Sequence, residues 1–360
     1  MSGTGKGSVP EIRKGIDLTP WNTMSVKAVA ERFTSVQNSE QLLALHRKGE
    51  LRIGDLFVLG GGSNVLFAGR VDPLVLKVEI GGLEQIELEN GAVHLRAGAG
   101  VNWHSLVTHA VRRGLGGIEN LALIPGTAGA APIQNIGAYG VELDDRFVSL
   151  EALDLESGSM CRFERSDCRF GYRDSLFKRS GRGRYVVTSI TLRLDREPHI
   201  IRRGYRALDD WLQEQKLENP GIEDIYDAVV AIRSSKLPDP KELGNAGSFF
   251  KNPILSEADW SELKAHYEDV PGWPAGEGQI KVPAGWLIEK AGWKGRREGS
   301  VGTYNKQALV VVNHGGATGE EVLQFASRIQ NHVREKFAID LVPEVNIIGS
   351  MAGQSELKTS

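Results

Sequence analysis

Between Ile124 and Tyr139 the chain carries Pro125, Gly126, Gly129, Pro132 and Gly137, breakers set too closely for any long helix or strand to form. The segment must therefore be a structured loop. Glycine removes the Cβ and lets another backbone or a ligand approach closely, so Ile124-Pro125-Gly126-Thr127-Ala128-Gly129-Ala130-Ala131-Pro132, with Gln134, Asn135 and Gly137 after it, is compatible with anion binding. A second such loop precedes it. The apolar run Leu56-Phe57-Val58-Leu59 reads as a strand and leads directly into Gly60-Gly61-Gly62-Ser63-Asn64, whose unobstructed N–H groups meet the physical requirement for cradling a diphosphate. Two such loops point to a large cofactor.

Neither loop is a standard nucleotide fingerprint. A dinucleotide motif needs Gly-x-Gly-x-x-Gly opening a helix, with an acidic residue about 20 positions later. Here Gly62 is followed by Ser63-Asn64-Val65-Leu66 and a second strand. The amino-terminal Gly3-Thr4-Gly5-Lys6-Gly7-Ser8 mimics part of a P-loop, but Gly7 follows Lys6 and no strand precedes it, so it reads as tail.

At 360 residues and 41% hydrophobic composition the chain is long enough for more than one core, because single cores stop growing at about 250–300 residues. A net charge of −3 without long like-charge runs indicates neither nucleic acid nor an acidic membrane as partner; no obligate protein partner is evident, and a small molecule is expected. Cys161 and Cys168 lack the spacing and the histidines of a zinc site, no acid cluster resembles a metal cage, and a reducing compartment is the simplest fit. No segment reaches about 18 uninterrupted apolar residues, so a soluble, cytoplasmic protein is expected.

The patterning predicts helices over 25–36, 40–48, 103–113, 205–215, 222–235, 256–267, 284–291 and 319–337, with Thr318 capping the last. Strands are expected at 56–59, 74–78, 85–88, 93–97, 147–154, 185–194, 309–313 and 342–348, an α+β arrangement. A disordered tail over 1–21, a domain over 22–199, a second over 200–349 and a tail over 350–360 are expected, the boundary being placed where charge and a proline cluster in 195–203.

Five blocks carry a resemblance. They are Leu59-Gly60-Gly61-Gly62-Ser63-Asn64-Val65-Leu66, the segment Ile124 to Gly140, Gly171-Tyr172-Arg173-Asp174-Ser175, Gly244-Asn245-Ala246-Gly247-Ser248-Phe249-Phe250-Lys251-Asn252-Pro253, and Pro343-Glu344-Val345. Taken in order, from about Asn22 to Gly349, the chain resembles the UDP-N-acetylenolpyruvoylglucosamine reductase (MurB) family. The resemblance implies a two-lobed FAD-binding domain of the vanillyl-alcohol-oxidase (PCMH) type plus a carboxy-terminal substrate-binding domain. It also implies non-covalent FAD, NADPH as co-substrate, and reduction of UDP-N-acetylglucosamine enolpyruvate to UDP-N-acetylmuramate in peptidoglycan precursor synthesis. Gly60, Gly61, Gly62, Ser63, Asn64 and Val65 from one loop would bind the flavin. Pro125, Gly126, Thr127, Gly129, Ala130, Gln134, Asn135 and Gly137 would do so from the other.

Hydride delivery to the β-carbon of an enol ether leaves negative charge on the neighbouring carbon and its carboxylate, so a cation and a proton donor are needed. Arg173 suits a carboxylate through its planar, permanently charged fork. The resemblance makes Ser248 the proton donor, set between Gly247 and an aromatic wall of Phe249 and Phe250, and assigns Glu344 to stabilising the enol or relaying a proton. Tyr205, Lys236, Asn252, Lys281 and Gln307 are carried over as ligands of the UDP moiety or of a closed lid. Trp273 stands where a tyrosine is expected in that lid; its indole donates but cannot accept. Two alternatives are an oxidase of the same fold, with His104 as candidate attachment point, and a non-catalytic flavin- or sugar-nucleotide-binding protein.

Overall fold

The computed structural model describes residues 8–89 and 91–349. The Gly3-to-Gly7 stretch and the carboxy-terminal tail expected over 350–360 lie outside them. The chain divides into two compact units.

The first unit draws on 8–16, 30–61 and 72–235. It holds a three-stranded parallel sheet in the order Phe33–Val36, Leu74–Val78, Leu56–Leu59. In the central strand Leu74, Val75, Leu76 and Val78 are buried, the continuous apolar run of a parallel strand covered on both faces. Helix α1 (Ser39–Arg47) is capped by Asn38, whose side chain accepts from the Gln41 N–H at 2.9 Å, and it buries Leu42 and Leu45. A five-stranded antiparallel sheet runs Ser159–Glu164, Phe147–Asp154, Tyr185–Leu194, Val93–Gly98, Leu83–Glu87. Helix α2 (Trp103–Val111) buries Trp103, Leu106, Val107 and Ala110 in the same core.

The fork of Arg184 grips Asp154 with Nε at 2.8 Å and Nη2 at 2.7 Å, and this pairing holds the carboxyl down at about 2 from its ordinary 3.8. A depressed carboxyl contributes stability that is complete above about pH 4 and disappears as pH falls towards 2. Acid unfolding of Asp154→Asn should therefore start from lower stability at neutral pH and converge on wild type near pH 2. A constant gap down to that pH would show that the ionised carboxylate is not the source.

Two expectations are corrected in this unit. Helices α3 (Arg206–Glu214) and α4 (Ile222–Lys236) were expected beyond a boundary near 200. The chain instead divides after Ser235, because Leu208, Leu212, Ile222, Ile225, Ala228, Val229 and Ile232 share one core with Leu95, Val107 and Leu192. The expected tail over 1–21 also carries structure in its described part: Arg13 and Phe33 exchange two backbone hydrogen bonds of 2.8 Å, and Leu18, in the other unit, is fully buried.

The second unit comprises 17–29, 62–71 and 236–349. A four-stranded sheet runs Gly244–Ser248, Val310–Asn313, Val301–Thr303, Arg297–Glu298, and a three-stranded one runs Ile254–Ser256, Gln279–Lys281, Trp273–Gly276. Helices α5 (Glu257–His266), α6 (Ala284–Lys290) and α7 (Gly319–Phe337) pack with them. Thr318 and Glu321 form a reciprocal capping box at the start of α7. The helix expected over 25–36 does not form. Met24, Val26 and Ala28 are buried while Ser25, Lys27 and Val29 are exposed, a period of two that belongs to extended chain.

Candidate functional site

In the first unit the two glycine loops lie backbone against backbone. A Cβ on Gly60 would sit 2.8 Å from Thr127 Oγ1, and one on Gly61 would sit 2.8 Å from the Gly126 Cα. Gly129 is equally closed, with Ala99 Cβ at 2.5 Å. The second loop is fixed from below: the Trp103 N–H, at the start of α2, donates to the Gly126 carbonyl at 3.1 Å, and the Ala128 and Gly129 N–H groups donate to the carbonyls of Val101 and Ala99. A short 3-10 helix, Ala128–Gln134, follows and ends at Asn135 in the left-handed conformation (φ +43°). Pro125 and Ala130 are exposed, Gly126, Gln134 and Gly137 half-buried, and Thr127 and Asn135 buried.

Arg173 sits at φ +53° with its guanidinium aimed at this loop, donating to the Gly137 carbonyl and, at 3.3 Å, to that of Asn135. Its nearest acid is Glu142 at 4.0 Å; Asp174, the adjacent carboxylate, pairs with Arg179 instead. Burial pushes the Glu142 carboxyl up while Arg173 pulls it down. Asn135 Nδ2 bonds Glu142 at 2.9 Å, so the loop, the arginine and the acid form one polar assembly. Tyr205 packs edge-on against Tyr139 at 5.1 Å.

Tyr139 and Arg233 join the assembly without being marked out by the sequence pattern. Arg233, on α4, reaches Tyr139; burial pushes its guanidinium down, and its Nε is buried with no hydrogen-bond partner. An arginine directly after the apolar run Val229-Val230-Ala231-Ile232 is the available signal. His104 is committed locally, its Nδ1 accepting from the Leu123 N–H at 3.1 Å while the ring stacks on Tyr226. That arrangement gives no support to His104 as an attachment point.

In the second unit the backbone joins three of the predicted segments. The Glu344 N–H donates to the Phe249 carbonyl at 2.8 Å, and Phe250 forms an isolated bridge with Pro343, which joins the segments that carry Ser248 and Glu344. Asn346 donates twice to the Asn64 carbonyl, at 3.1 and 2.9 Å, and Val65 pairs with Asn346 in a parallel ladder. Gly62 is tightly enclosed, at φ +65° with a Cβ position 1.9 Å from the Trp21 carbonyl oxygen. The expected aromatic wall is corrected. Ser248 is exposed, and Phe249 and Phe250 turn into the core at 1% exposure each. Asn252 and Gln307 each lie against the start of α6: Asn252 Oδ1 accepts from the Ala284 N–H at 3.0 Å, and a Cβ on Gly285 would lie 2.9 Å from Gln307 Oε1. Trp273, half exposed, faces Lys281 across the three-stranded sheet, and Lys236 is exposed at the end of α4.

A family model described as an FAD binding domain matches residues 31–164, and one described as the UDP-N-acetylenolpyruvoylglucosamine reductase carboxy-terminal domain matches 239–348. The UDP-N-acetylenolpyruvoylglucosamine reductase of Amoebophilus asiaticus is 45% identical over 338 residues, covering 94% of this chain and 99% of the relative. This chain belongs to that family. The enzyme of the same name from an Azoarcus species is 48% identical over 332 residues, 91% of this chain and 95% of the relative. The crystal structure of the Thermus caldophilus enzyme superposes with a TM-score of 0.65 at 23% identity, over 94% of this chain and all of that one, and so shares the fold. The α+β fold class, with a flavin-type domain followed by the family's carboxy-terminal domain, is the one read from the sequence. Among the described residues no cluster of three or more His, Cys, Asp or Glu could hold a metal, and no helix is long and apolar enough to cross a membrane.

Proposed function

We propose that this chain reduces UDP-N-acetylglucosamine enolpyruvate to UDP-N-acetylmuramate using FAD and, as electron donor, NADPH. The observation that carries the reading is the backbone hydrogen bond from Glu344 to Phe249, the residue after Ser248, in a chain of this family.

FAD fits the residues present. The absence of a Cβ at Gly60 and Gly61 lets the two loops close on each other at Thr127 and Gly126, and backbone N–H groups of this junction would hold a diphosphate. Thr127, Gly129, Ala130, Gln134, Asn135 and Gly137 would continue that surface, with Pro125 at its edge; Gly62, Ser63, Asn64 and Val65 would contribute from the other loop. When bound, the flavin supplies a two-electron store, filled from a reduced nicotinamide and emptied into the enolpyruvyl double bond. The remaining steps belong to the protein. Arg173, oriented by the Asn135 and Gly137 carbonyls with Glu142 at 4.0 Å, offers its charge to the substrate carboxylate. Ser248 gives its hydroxyl proton to the substrate carbon next to that carboxylate, and Glu344 stabilises the enol or returns a proton to the serine. Tyr205, Lys236, Asn252, Lys281, Gln307 and Trp273 are assigned to the UDP moiety and the segment covering it.

The absorption spectrum of the purified protein tests the reading: it should be yellow and release intact FAD on heating. A colourless protein that FAD cannot reconstitute would end it. UDP alone should raise the melting temperature, by about 2.7 kcal/mol of added stability at a hundred times its Kd. No shift at millimolar UDP would remove Lys236, Asn252 and Gln307 from the assignment.

A further inference from the structure

Residues 121–126 lead into the second glycine loop, and two adjacent residues at the start of α2 hold them at three points. The Trp103 Nε1–H donates to the Leu121 carbonyl at 3.0 Å, and the Trp103 backbone N–H donates to the Gly126 carbonyl at 3.1 Å. Between these, the Leu123 N–H donates to His104 Nδ1 at 3.1 Å. Leu123 is the strained point of the segment, for it stands at φ +54°, a conformation that a bulky side chain keeps only where its surroundings impose it.

A histidine nitrogen accepts only when it carries no proton. The neighbours of His104 set that state through a closed ring of hydrogen bonds. Thr108 Oγ1 donates to the His104 carbonyl at 2.8 Å, so the Tyr226 hydroxyl donates to Thr108 Oγ1 at 2.9 Å, and the Tyr226 oxygen is left to accept from His104 Nε2–H at 3.5 Å. The proton is thereby placed on Nε2, and the Nδ1 lone pair faces Leu123. The charge that bears on the ring is Arg233 of α4, which carries Tyr226 as well; burial and that guanidinium hold the imidazole below its ordinary 6.5.

We infer that His104 is a positioning residue for the cofactor: as a neutral acceptor it latches Leu123, and so sets the course of Ile124-Pro125-Gly126 into the flavin-binding loop. The inference rests on the FAD reading above and adds to it a residue outside the glycine motifs. Protonation would put a hydrogen on Nδ1 where the Leu123 N–H already points, and two donors would face each other beside Arg233. The latch is therefore complete above pH 6.5 and opens as the pH falls from there through the lowered value of the folded protein.

The test is a titration of flavin-stripped protein with FAD, at neutral pH and in steps down to about pH 5, in wild type and in His104→Asn, His104→Gln and His104→Leu. At neutral pH the Leu and Gln variants should bind FAD roughly three- to tenfold more weakly, the range for a lost neutral hydrogen bond. Asparagine carries its Oδ1 as many bonds from Cα as histidine carries Nδ1, so His104→Asn should keep near-wild-type affinity. Because that oxygen takes up no proton, the Asn variant should also hold its affinity as the pH falls, while wild type weakens towards the Leu variant. Binding in Asn as weak as in Leu would show that ring packing and not the acceptor matters, and a parallel fall of wild type and Asn would place the titrating group elsewhere. A flavin-free Leu variant that melts earlier yet binds FAD as wild type does would make His104 a packing residue of α2 alone. Any of these overturns the inference while leaving the FAD reading intact; failure of the wild-type chain to bind FAD at all would overturn both.

Discussion

The Ser248→Ala variant should bind FAD and be bleached by NADPH as fast as wild type, while reoxidation by the enolpyruvyl substrate slows at least roughly 10²–10⁴-fold, the contribution of a positioned general acid. The structure separates the side chain from the scaffold. Ser248 is exposed, and its strand is held through backbone groups: the Phe249 N–H donates to Leu309 at 2.9 Å and the Phe249 carbonyl accepts from Glu344. Gly247 takes the left-handed turn at φ +71°, its N–H bound to Asn245 Oδ1. Alanine therefore removes a hydroxyl without emptying core volume. Ser248→Cys keeps a transferable proton at nearly the same place and should recover part of the lost rate. Stopped-flow absorbance resolves the two half-reactions. Equal slowing of both, or unimpaired reoxidation in the alanine variant, would make Ser248 a turn residue and move the proton donor elsewhere, with Glu344 next in line.

Gly62→Ala should be the most damaging single methyl group among the glycine-loop changes. The residue sits at φ +65°, which costs a side chain on the order of 1–3 kcal/mol, and the added Cβ would fall 1.9 Å from the Trp21 carbonyl oxygen, so the segment 17–29 must also shift. Its own carbonyl receives the Thr23 N–H at 3.0 Å, a contact that such a shift disturbs. Together the two effects amount to roughly 2–6 kcal/mol, read as a melting temperature lowered by about 5 °C or more. Gly140→Ala is the control. Its φ is similar, +79°, but nothing lies within 4 Å of the added methyl, so only the backbone cost applies. Equal destabilisation of the two variants would mean that the enclosure of Gly62 adds nothing.

What could be read from the sequence was local. The capping box of Thr318 and Glu321, the long amphipathic α7 and the apolar strands at 56–59, 74–78, 147–154 and 185–194 are set by neighbouring residues, and each forms within a residue or two of its expected bounds. The chemistry-bearing motifs were legible because glycine and proline runs permit few backbones. Contacts fixed by distant chain were not. The extended 24–29 segment reads as helix because Val26, Val29 and Ala30 also fit a helical spacing. The boundary near 200 followed charge and proline, whereas the apolar faces of α3 and α4 decide which core they join. Arg233 stays hidden at the end of an apolar run, since nothing local shows what its charge faces.

The parallel ladder of Asn346, Ile347 and Ile348 with Val65, Leu66 and Phe67 has a consequence for biosynthesis. On the ribosome the first glycine loop emerges long before its partner strand, so the segment 62–71 waits through the translation of some 280 residues. The first unit has no such wait, for all of its strands and helices have been made once Ser235 is out. Nascent chains stalled after residue 235 should thus protect the first unit from protease while 62–71 remains cleavable, and that protection should extend to the loop only when the strand Asn346–Ile348 leaves the exit tunnel.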